Sequence, residues 1–393
     1  MIEYAEALRR LVEAIEPLPA ETVPLSDCAG RYLAGDLISP IDLPPFDNSA
    51  MDGYAVRSDE TKSVPTTLQL AGESRAGLPS QHPLVAGECL RIATGAALPA
   101  GSDAVVMQED VTVAGDHVQL REAVKPWENV RFKGEDLRRG TVIATAGSPI
   151  TAARIGLLAA VGFDRLSARR RPRVAILSTG TELKRPGEPL QSGQIHESNS
   201  YALAELVRQS GGMVVSHQSV PDEAEATEAA FQSSVAIADV VLTIGGASVG
   251  DWDLVRPTVQ KLGGTLAFWK LAIRPGKPFF FGTCGKALIM GVPGNPVSAF
   301  VTTVVLVLPA LRVLAGAADA RPATTTAVLA EPLNNPTDRL HFVRVGVDSD
   351  NRVRSSGIQA SHIISSLAAA DGLVAVPAHT NIAGGSLVKV IRW

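Results

Sequence analysis

Carboxylates, glycines and cations stand at a few points of this chain at a density that ordinary turns do not need. Asp47 and Asp52 fall five residues apart in FDNSAMDGYAV (46–56), directly after Pro44-Pro45. Four further polar stretches each follow an apolar run: STGTEL with Ser178, Thr179 and Glu182; VPDE with Asp222; GGASVGDWD with Gly245, Gly246, Ser248, Gly250, Asp251 and Asp253; and GVPGNPVS with Gly291, Gly294, Asn295 and Ser298. Glycines at such exits let backbone N–H groups approach a phosphate, and helix N-termini favour its charge. FWKLAIRPGKP adds Lys270, Arg274 and Lys277, and Lys270 with Arg274 four residues on, in a Pro-Gly turn, suits an oxyanion. Singly, each feature has a plainer reading: a Gly-Gly turn is a turn, Asp222 or Asp251 a helix N-cap, a lone cation group a solvated one. Four exits together are harder to explain by turn chemistry.

Several chemistries find no support. The chain has no GxxxxGK[ST], and GGASVG does not match GxGxxG, so neither a P-loop nor a nicotinamide site is indicated. HExxH is also missing. Cys28, Cys89 and Cys284 are far apart, which gives no zinc site or disulfide framework and fits a reducing compartment. The seven histidines have no metal-ligand spacing, and His196, beside Glu197, reads as a surface histidine rather than a base. A net charge of −4 argues against a general polyanion binder. The basic run Arg169–Arg173 reads as a solvated linker rather than a nucleic-acid site.

The elements that must position these groups follow from pattern. With 393 residues, 46% apolar and 19% charged, the chain can bury large cores in two to four domains. Residues 2–15 have helical spacing through Leu8, Leu11 and Ile15, and a second helix near 152–162 ends on Gly162. The intervening residues, about 40 to 140, are rich in Gly, Pro, Val and Thr and read as a β-rich insertion. From 172 onward, strands RVAILSTG, MVVSHQSV and ADVVLTIGG alternate with helices, one capped by Asn199 or Ser200, and Pro296 suits a helix's first turn. This alternation predicts a mostly parallel sheet covered on both faces, with ligands at the carboxyl ends of its strands. The last 70 residues return to short alternating runs and predict a small β domain. The N-terminus has charges where a signal peptide needs an apolar core, and the apolar run 287–311 is broken by Gly and Pro. A buried helix and a cytosolic protein are expected.

DNSAMDGYAV, RIATGAALPAGSDAVVMQE, GEDLRRG, STGTEL, GGASVGD, FWKLAIRPGKP and GVPGNPVSA together resemble the molybdopterin molybdenumtransferase family, the bacterial MoeA proteins. The resemblance covers essentially the whole chain in order and is weakest at the C-terminal end, where SGIQASH (356–362) departs from a glycine-richer family segment. It implies an α/β multidomain protein: a discontinuous helical linker domain (1–40 with 141–171), a β-rich insertion domain (41–140), a three-layer molybdopterin-binding α/β domain (172–321) and a C-terminal β domain (322–393). It implies a reaction in which molybdenum from molybdate enters adenylylated molybdopterin with release of AMP, assisted by Mg²⁺. It also implies a cytoplasmic homodimer with an inter-subunit cleft, working with a molybdopterin adenylyltransferase and downstream molybdoenzymes, without nucleic acid or membrane. By position in the family's motifs, the catalytic set is Asp52, Thr94, Arg131, Asp136 and Glu182, with Asp52 and Glu182 nearest the metal. The cofactor-binding set is Ser178, Asp222, Gly245, Gly246, Ser248, Asp253, Lys270, Arg274, Gly294 and Asn295. Arg274 stands where some relatives carry Lys, which keeps the charge and alters its geometry.

Two other readings compete. A molybdopterin adenylyltransferase would share the α/β domain, but that enzyme is normally this domain alone. A non-catalytic scaffold binding a partner's tail would have no reason to keep carboxylates and cations together.

Overall fold

The computed structural model describes residues 1–246 and 254–393, so Ser248, Gly250, Asp251 and Asp253 lie outside the described residues. The chain folds into two compact units, one of Met1–Gly35, Ala146–Thr151 and Leu166–Trp393, the other of Asp36–Thr145 and Ala152–Arg165. The first helix, α1 (Tyr4–Glu13), belongs to the larger unit and buries Ala7 and Leu11; of the expected stripe, Leu8 is half-buried and Ile15 is buried just past the helix end.

The smaller unit is mainly β. Its strands include β1 (Asn48–Ser49), β2 (Gly53–Val56), β3 (Thr66–Ser74), β4 (Glu88–Ile92), β5 (Ala104–Met107), β6 (Val111–Ala114), β7 (His117–Leu120) and β8 (Val130–Arg131). Six of them form one sheet in the order β5-β2-β4-β3-β7-β6, while β1 pairs separately with β8. Successive side chains of a strand face opposite ways, so Tyr54 and Val56 join one apolar cluster with Cys89 and Val106, and Ala55 joins another with Leu90 and Val105. The sheet is therefore buried on both faces at β2. A Cβ on Gly53 would lie 2.0 Å from the Val106 carbonyl oxygen, so this close strand approach requires the glycine after Asp52. Helix α2 (Ala152–Ala160) ends where the sequence predicts, at Gly162 with φ +91°.

The larger unit holds β9 (Arg173–Thr179), α3 (Asn199–Gln209), β10 (Met213–Val220), α4 (Ala224–Ile237), β11 (Val240–Ile244), α5 (Val255–Lys261), β12 (Thr265–Trp269), β13 (Ile273–Arg274), β14 (Phe280–Cys284), β15 (Ala287–Val292) and α6 (Pro296–Leu314). The sheet order is β10-β9-β11-β15-β14-β12. β10, β9, β11 and β15 are parallel, as the alternation predicts, but β14 runs antiparallel to both β15 and β12. Only Gly285 and Lys286 join β14 to β15, which is a hairpin's length and far too short for a parallel crossover. Val174, Ile176, Leu242 and Met290 face one core with α1, α3 and α6, whereas Leu177, Val241 and Ile289 face another with Phe231 of α4 and Val259 of α5. Helix α6 is apolar and long enough to cross a membrane, but 89% of its apolar window is buried inside the protein, as a core helix would be. Pro296 occupies its first turn behind Asn295.

The C-terminal strands are β16 (Thr324–Leu329), β17 (Leu333–Asn335), β18 (Leu340–Val347), β19 (Arg352–Ser355), β20 (Gly372–Val376), β21 (Thr380–Ile382) and β22 (Leu387–Ile391). Pairings β18-β19-β16-β22-β20 close back from β20 onto β18, giving a small barrel filled by Val343, Val345, Val374 and Val390. β13 adds to this barrel through β18, with Arg274 opposite His341.

The basic run 169–173 is not a solvated linker. Arg170 donates to both Asp239 oxygens at 2.9 and 2.8 Å, and Arg173 lies 3.7 Å from the same carboxylate. Arg171 donates to the carbonyls of Ala29 and Gly211, and Arg169 to that of Leu18. One acidic residue just before β11 collects two of the guanidinium groups and carbonyls take the others, a pairing the basic run alone does not disclose.

Candidate functional site

In the larger unit, the carboxyl ends of the parallel strands converge. The Gly180 N–H donates to Val220 O and the Gly245 N–H to Val292 O, each at 3.2 Å, which ties the exits of β9 to β10 and of β11 to β15. A Cβ on Gly245 would lie 3.0 Å from Thr179 O, and one on Gly294 would lie 3.8 Å from the Gly245 α-carbon. Asn199, at the start of α3, donates its amide to Gly294 O at 2.6 Å. Gly245, Gly246 and Gly294 thus sit side by side, and Asn295 caps α6 with backbone only, its side chain making no capping bond.

Asp222 is not a helix N-cap. The residue before α4 is Glu223, and the Asp222 carboxylate accepts the Thr181 N–H at 3.2 Å. In return the Asp222 N–H donates to the Thr181 hydroxyl at 3.2 Å, so two strand exits are clamped together. Glu182 is exposed and turns its carboxylate back over Gly180, where a Cβ would lie 2.7 Å from Oε2. Ser178 is buried at 1% exposure and points its hydroxyl at Glu197 Oε1, 3.5 Å away, rather than out of the strand end. Lys270 follows β12 with φ +64° and lays its ammonium 4.0 Å over the Trp269 ring. Arg256 lies 4.3 Å over the same ring, so this tryptophan both packs on the core and carries cations. Arg274 is half-buried on β13, placed by the barrel strand beside it.

In the smaller unit, Asp52 and Thr94 meet: the Thr94 N–H donates to Asp52 Oδ1 at 2.7 Å. That bond, then the Thr94 hydroxyl and the nearby Arg91 charge, holds the Asp52 carboxyl below the usual range and keeps it ionised. Arg131 lies on β8 opposite Asn48 of β1, which places its exposed side chain beside the DNSAMDGY stretch. Asp136 is exposed in a turn fixed by its own N–H to Leu43 O at 3.1 Å. Asp47, the other aspartate of that stretch, accepts the Lys133 N–H at 2.7 Å and so pins the loop that follows Arg131.

Among the described residues, no three His, Cys, Asp or Glu side chains gather closely enough to hold a metal ion. Glu182 and Asp52 are single carboxylates in different units. A lone carboxylate is too few ligands for an all-protein cage and suits an ion such as Mg²⁺, which takes most of its oxygens from phosphate and water.

A cavity of about 500 Å³ opens at the β9 and β10 exits, beside Gly180 and Thr181. Lys184, Arg185, Glu188, Tyr201 and His217 line it, with the buried Glu197 on its wall. Glu197 accepts the Ser200 N–H at 2.9 Å and the Ser200 hydroxyl, and that hydroxyl also meets His217 Nε2. His196 is exposed, as its sequence context suggests, and hydrogen-bonds Arg185 O. The histidine that joins the buried network comes instead from β10. It is 17 residues from its serine, with no local signal, and the network explains why the serine serves this contact and not the N-cap.

Three family models cover the chain in order: the MoeA N-terminal region (domain I and II) over residues 2–162, a probable molybdopterin binding domain over 175–313, and the MoeA C-terminal region (domain IV) over 326–393. The chain is 38% identical to a molybdopterin molybdenumtransferase of Haemophilus influenzae across 99% of its own length and 98% of the relative's. It is 37% identical to molybdopterin molybdenumtransferase 2 of Mycobacterium tuberculosis, with the same coverage. Two crystal structures of the molybdopterin biosynthesis moeA protein from Pyrococcus horikoshii superpose over the whole chain, with TM-scores of 0.82 and 0.86 at 31% and 28% identity. They are covered over 99% and 100% of their own lengths.

Proposed function

The chain belongs to the molybdopterin molybdenumtransferase (MoeA) family, and we propose that it inserts molybdenum from molybdate into adenylylated molybdopterin and releases AMP, a late step of molybdenum cofactor biosynthesis. The observation that carries this reading is the end-to-end match to relatives of that name at 37–38% identity. An adenylyltransferase would need only the α/β domain, and a scaffold would not need an oxyanion-binding pair, so neither alternative is favoured.

The reading gives each residue a task. Asp222 holds Thr181, and through it fixes the strand exit from which Glu182 extends. Gly245, Gly246, Gly294 and Asn295 surround the phosphate-bearing part of the substrate with backbone N–H groups; Ser248 and Asp253, assigned to the same substrate, lie outside the described residues. Lys270 and Arg274 hold molybdate, Arg274 supplying directional donors. From the smaller unit, Asp52, oriented by Thr94, acts with Arg131 and Asp136. Mg²⁺ bound by Glu182 and Asp52 would neutralise charge on the phosphoanhydride as AMP departs.

The active form is a cytoplasmic homodimer in which Asp52, Thr94, Arg131 and Asp136 of one subunit complete the cleft of its partner. The domain limits proposed are 1–40 with 141–171, 41–140, 172–321 and 322–393. A molybdopterin adenylyltransferase supplies the substrate, and molybdoenzymes accept the product.

The test is AMP release from adenylylated molybdopterin with Mg²⁺, with and without molybdate, for wild type, Glu182→Ala and Asp52→Ala. Molybdate-dependent release lost in both variants, with the oligomer intact, supports the reading. Tight pterin binding without release would reduce the protein to a carrier.

A further inference from the structure

The cavity beside Gly180 and Thr181 has contents that the reading above does not use. Its polar chain has a determinate direction. Glu197 is 5% exposed and, as a carboxylate, can only accept hydrogen bonds. The single hydroxyl proton of Ser200 therefore goes to Glu197, leaving the Ser200 oxygen to accept from His217 Nε2–H. In the neutral imidazole this puts the proton on Nε2 and leaves Nδ1 with a lone pair. Ser200 is fully buried while His217 is exposed on the cavity wall, so the network serves to orient the ring.

The remaining lining is complementary to a flat, polar heterocycle. Tyr201 is 49% exposed and meets the His217 ring edge-on, centroids 5.1 Å apart and planes at 76°. Glu188 adds a second acceptor: among the described residues its carboxylate accepts one hydrogen bond, from the Arg185 N–H at 3.3 Å, which leaves acceptor sites over. Lys184 and Arg185 make no ion pair among the described residues. The volume, about 500 Å³, is that of a small-molecule site with room for a bicyclic ring and a charged arm.

We propose that this cavity seats the pterin ring of the substrate: His217 Nδ1 accepts a ring N–H, the exposed face of Tyr201 stacks on the ring, and Ser200 and Glu197 act as positioning residues. The proposal rests on the molybdenumtransferase reading and names the part of the substrate that this cavity takes. Adenine, the other bicycle of the substrate, has one exocyclic amino group, whereas a pterin carries a 2-amino group beside N3–H. That edge of paired donors matches the two acceptors, His217 and Glu188. Lys184 and Arg185 then face the phosphate arm, and Thr181, one residue before Glu182, puts the ring beside the proposed metal chemistry.

The experiment is a fluorescence titration of the full-length protein with 6-hydroxymethylpterin, repeated with saturating AMP. His217→Ala and Tyr201→Ala should each weaken binding tenfold or more with unchanged melting temperature, both side chains being exposed, and AMP should not displace the probe. Ser200→Ala should shift the ¹⁵N signal of His217 Nε2, which loses its hydrogen-bond partner, and weaken binding less. Equal affinity in wild type, His217→Ala and Tyr201→Ala, no measurable binding by wild type, or competitive displacement by AMP overturns the seat. Molybdate-dependent AMP release in the same preparation separates the two readings. Release with a failed titration leaves the function standing without this seat, and pterin binding sensitive to His217 without release removes the function instead.

Discussion

Asp222 and Thr181 exchange two hydrogen bonds of 3.2 Å, the backbone N–H of each donating to the other's side chain. The pair joins the exit of β10 to that of β9 one residue before Glu182. Thr181→Val keeps the size and removes the hydroxyl that accepts the Asp222 N–H. A hydrogen bond of this kind contributes about 1 kcal/mol, so Glu182 loses its fixed position without unfolding of the domain. Molybdate-dependent AMP release should fall roughly fivefold, with a melting temperature close to wild type. Asp222→Ala, which removes the carboxylate that accepts the Thr181 N–H, should fall further. An unchanged rate for Asp222→Ala would leave the clamp without a role in the reaction.

Gly180 offers a sharper test of where the Glu182 carboxylate must be. A Cβ at Gly180 would lie 2.7 and 2.9 Å from the two carboxylate oxygens. The far end of a glutamate can move cheaply, whereas Leu183 Cγ, 2.9 Å from the same Cβ, must shift as well, so Gly180→Ala should displace the carboxylate and also lower stability. The backbone there, at φ +156°, adds strain of about 1 kcal/mol. AMP release should drop at least tenfold while the chain still folds. Equal losses in stability and rate would instead mark Gly180 as a structural turn.

Much of this was legible from residue types and spacing because local patterns carry it. Leu11 on α1, Gly162 after α2 and Pro296 at the start of α6 stand where helical periodicity and capping put them. The exits of β9, β10, β11 and β15 were visible because a buried parallel strand must end in a polar turn. What escaped depends on pairings between distant residues. Arg170 needed Asp239, His217 needed Ser200, and the antiparallel β14 needed the length of one connection to be weighed above the surrounding alternation. Asp222 looked like a cap because local sequence holds no trace of Thr181, 41 positions away.

His341 makes the C-terminal barrel sensitive to acid. It is 6% exposed, its Nε2 has no hydrogen-bond partner among the described residues, and burial, then the charges of Arg274, Arg344 and Arg339, push its pKa down to about 4. The folded state holds this imidazole neutral, whereas the unfolded chain takes up a proton near the ordinary value of 6.5. Unfolding therefore binds a proton below pH 6.5, and stability present above that value declines as pH falls toward 4, by roughly 3 kcal/mol if the full difference is expressed. Urea melts between pH 7 and 4.5 should show this slope in wild type and a shallower one in His341→Gln. Parallel slopes would place the acid sensitivity elsewhere.

Arg274 ties that barrel to the proposed molybdate site. Its strand, β13, pairs with β18, so the guanidinium that the function assigns to molybdate is placed by the C-terminal barrel rather than by the main sheet. A guanidinium gives a tetrahedral dianion two parallel, charge-assisted hydrogen bonds, whereas an ammonium acts as a point charge. Hydrogen bonds to charged groups contribute about 1.5–3 kcal/mol each, so Arg274→Gln should raise the KM for molybdate by roughly 10- to 100-fold. Arg274→Lys should fall between that variant and wild type, since it keeps attraction and loses direction. Sulfate, a dianion of the same shape, should compete with molybdate in wild type and much less in Arg274→Gln. If the KM for molybdate is unchanged and only kcat falls, Arg274 does not hold the incoming oxyanion, and the barrel's contribution lies in a later step.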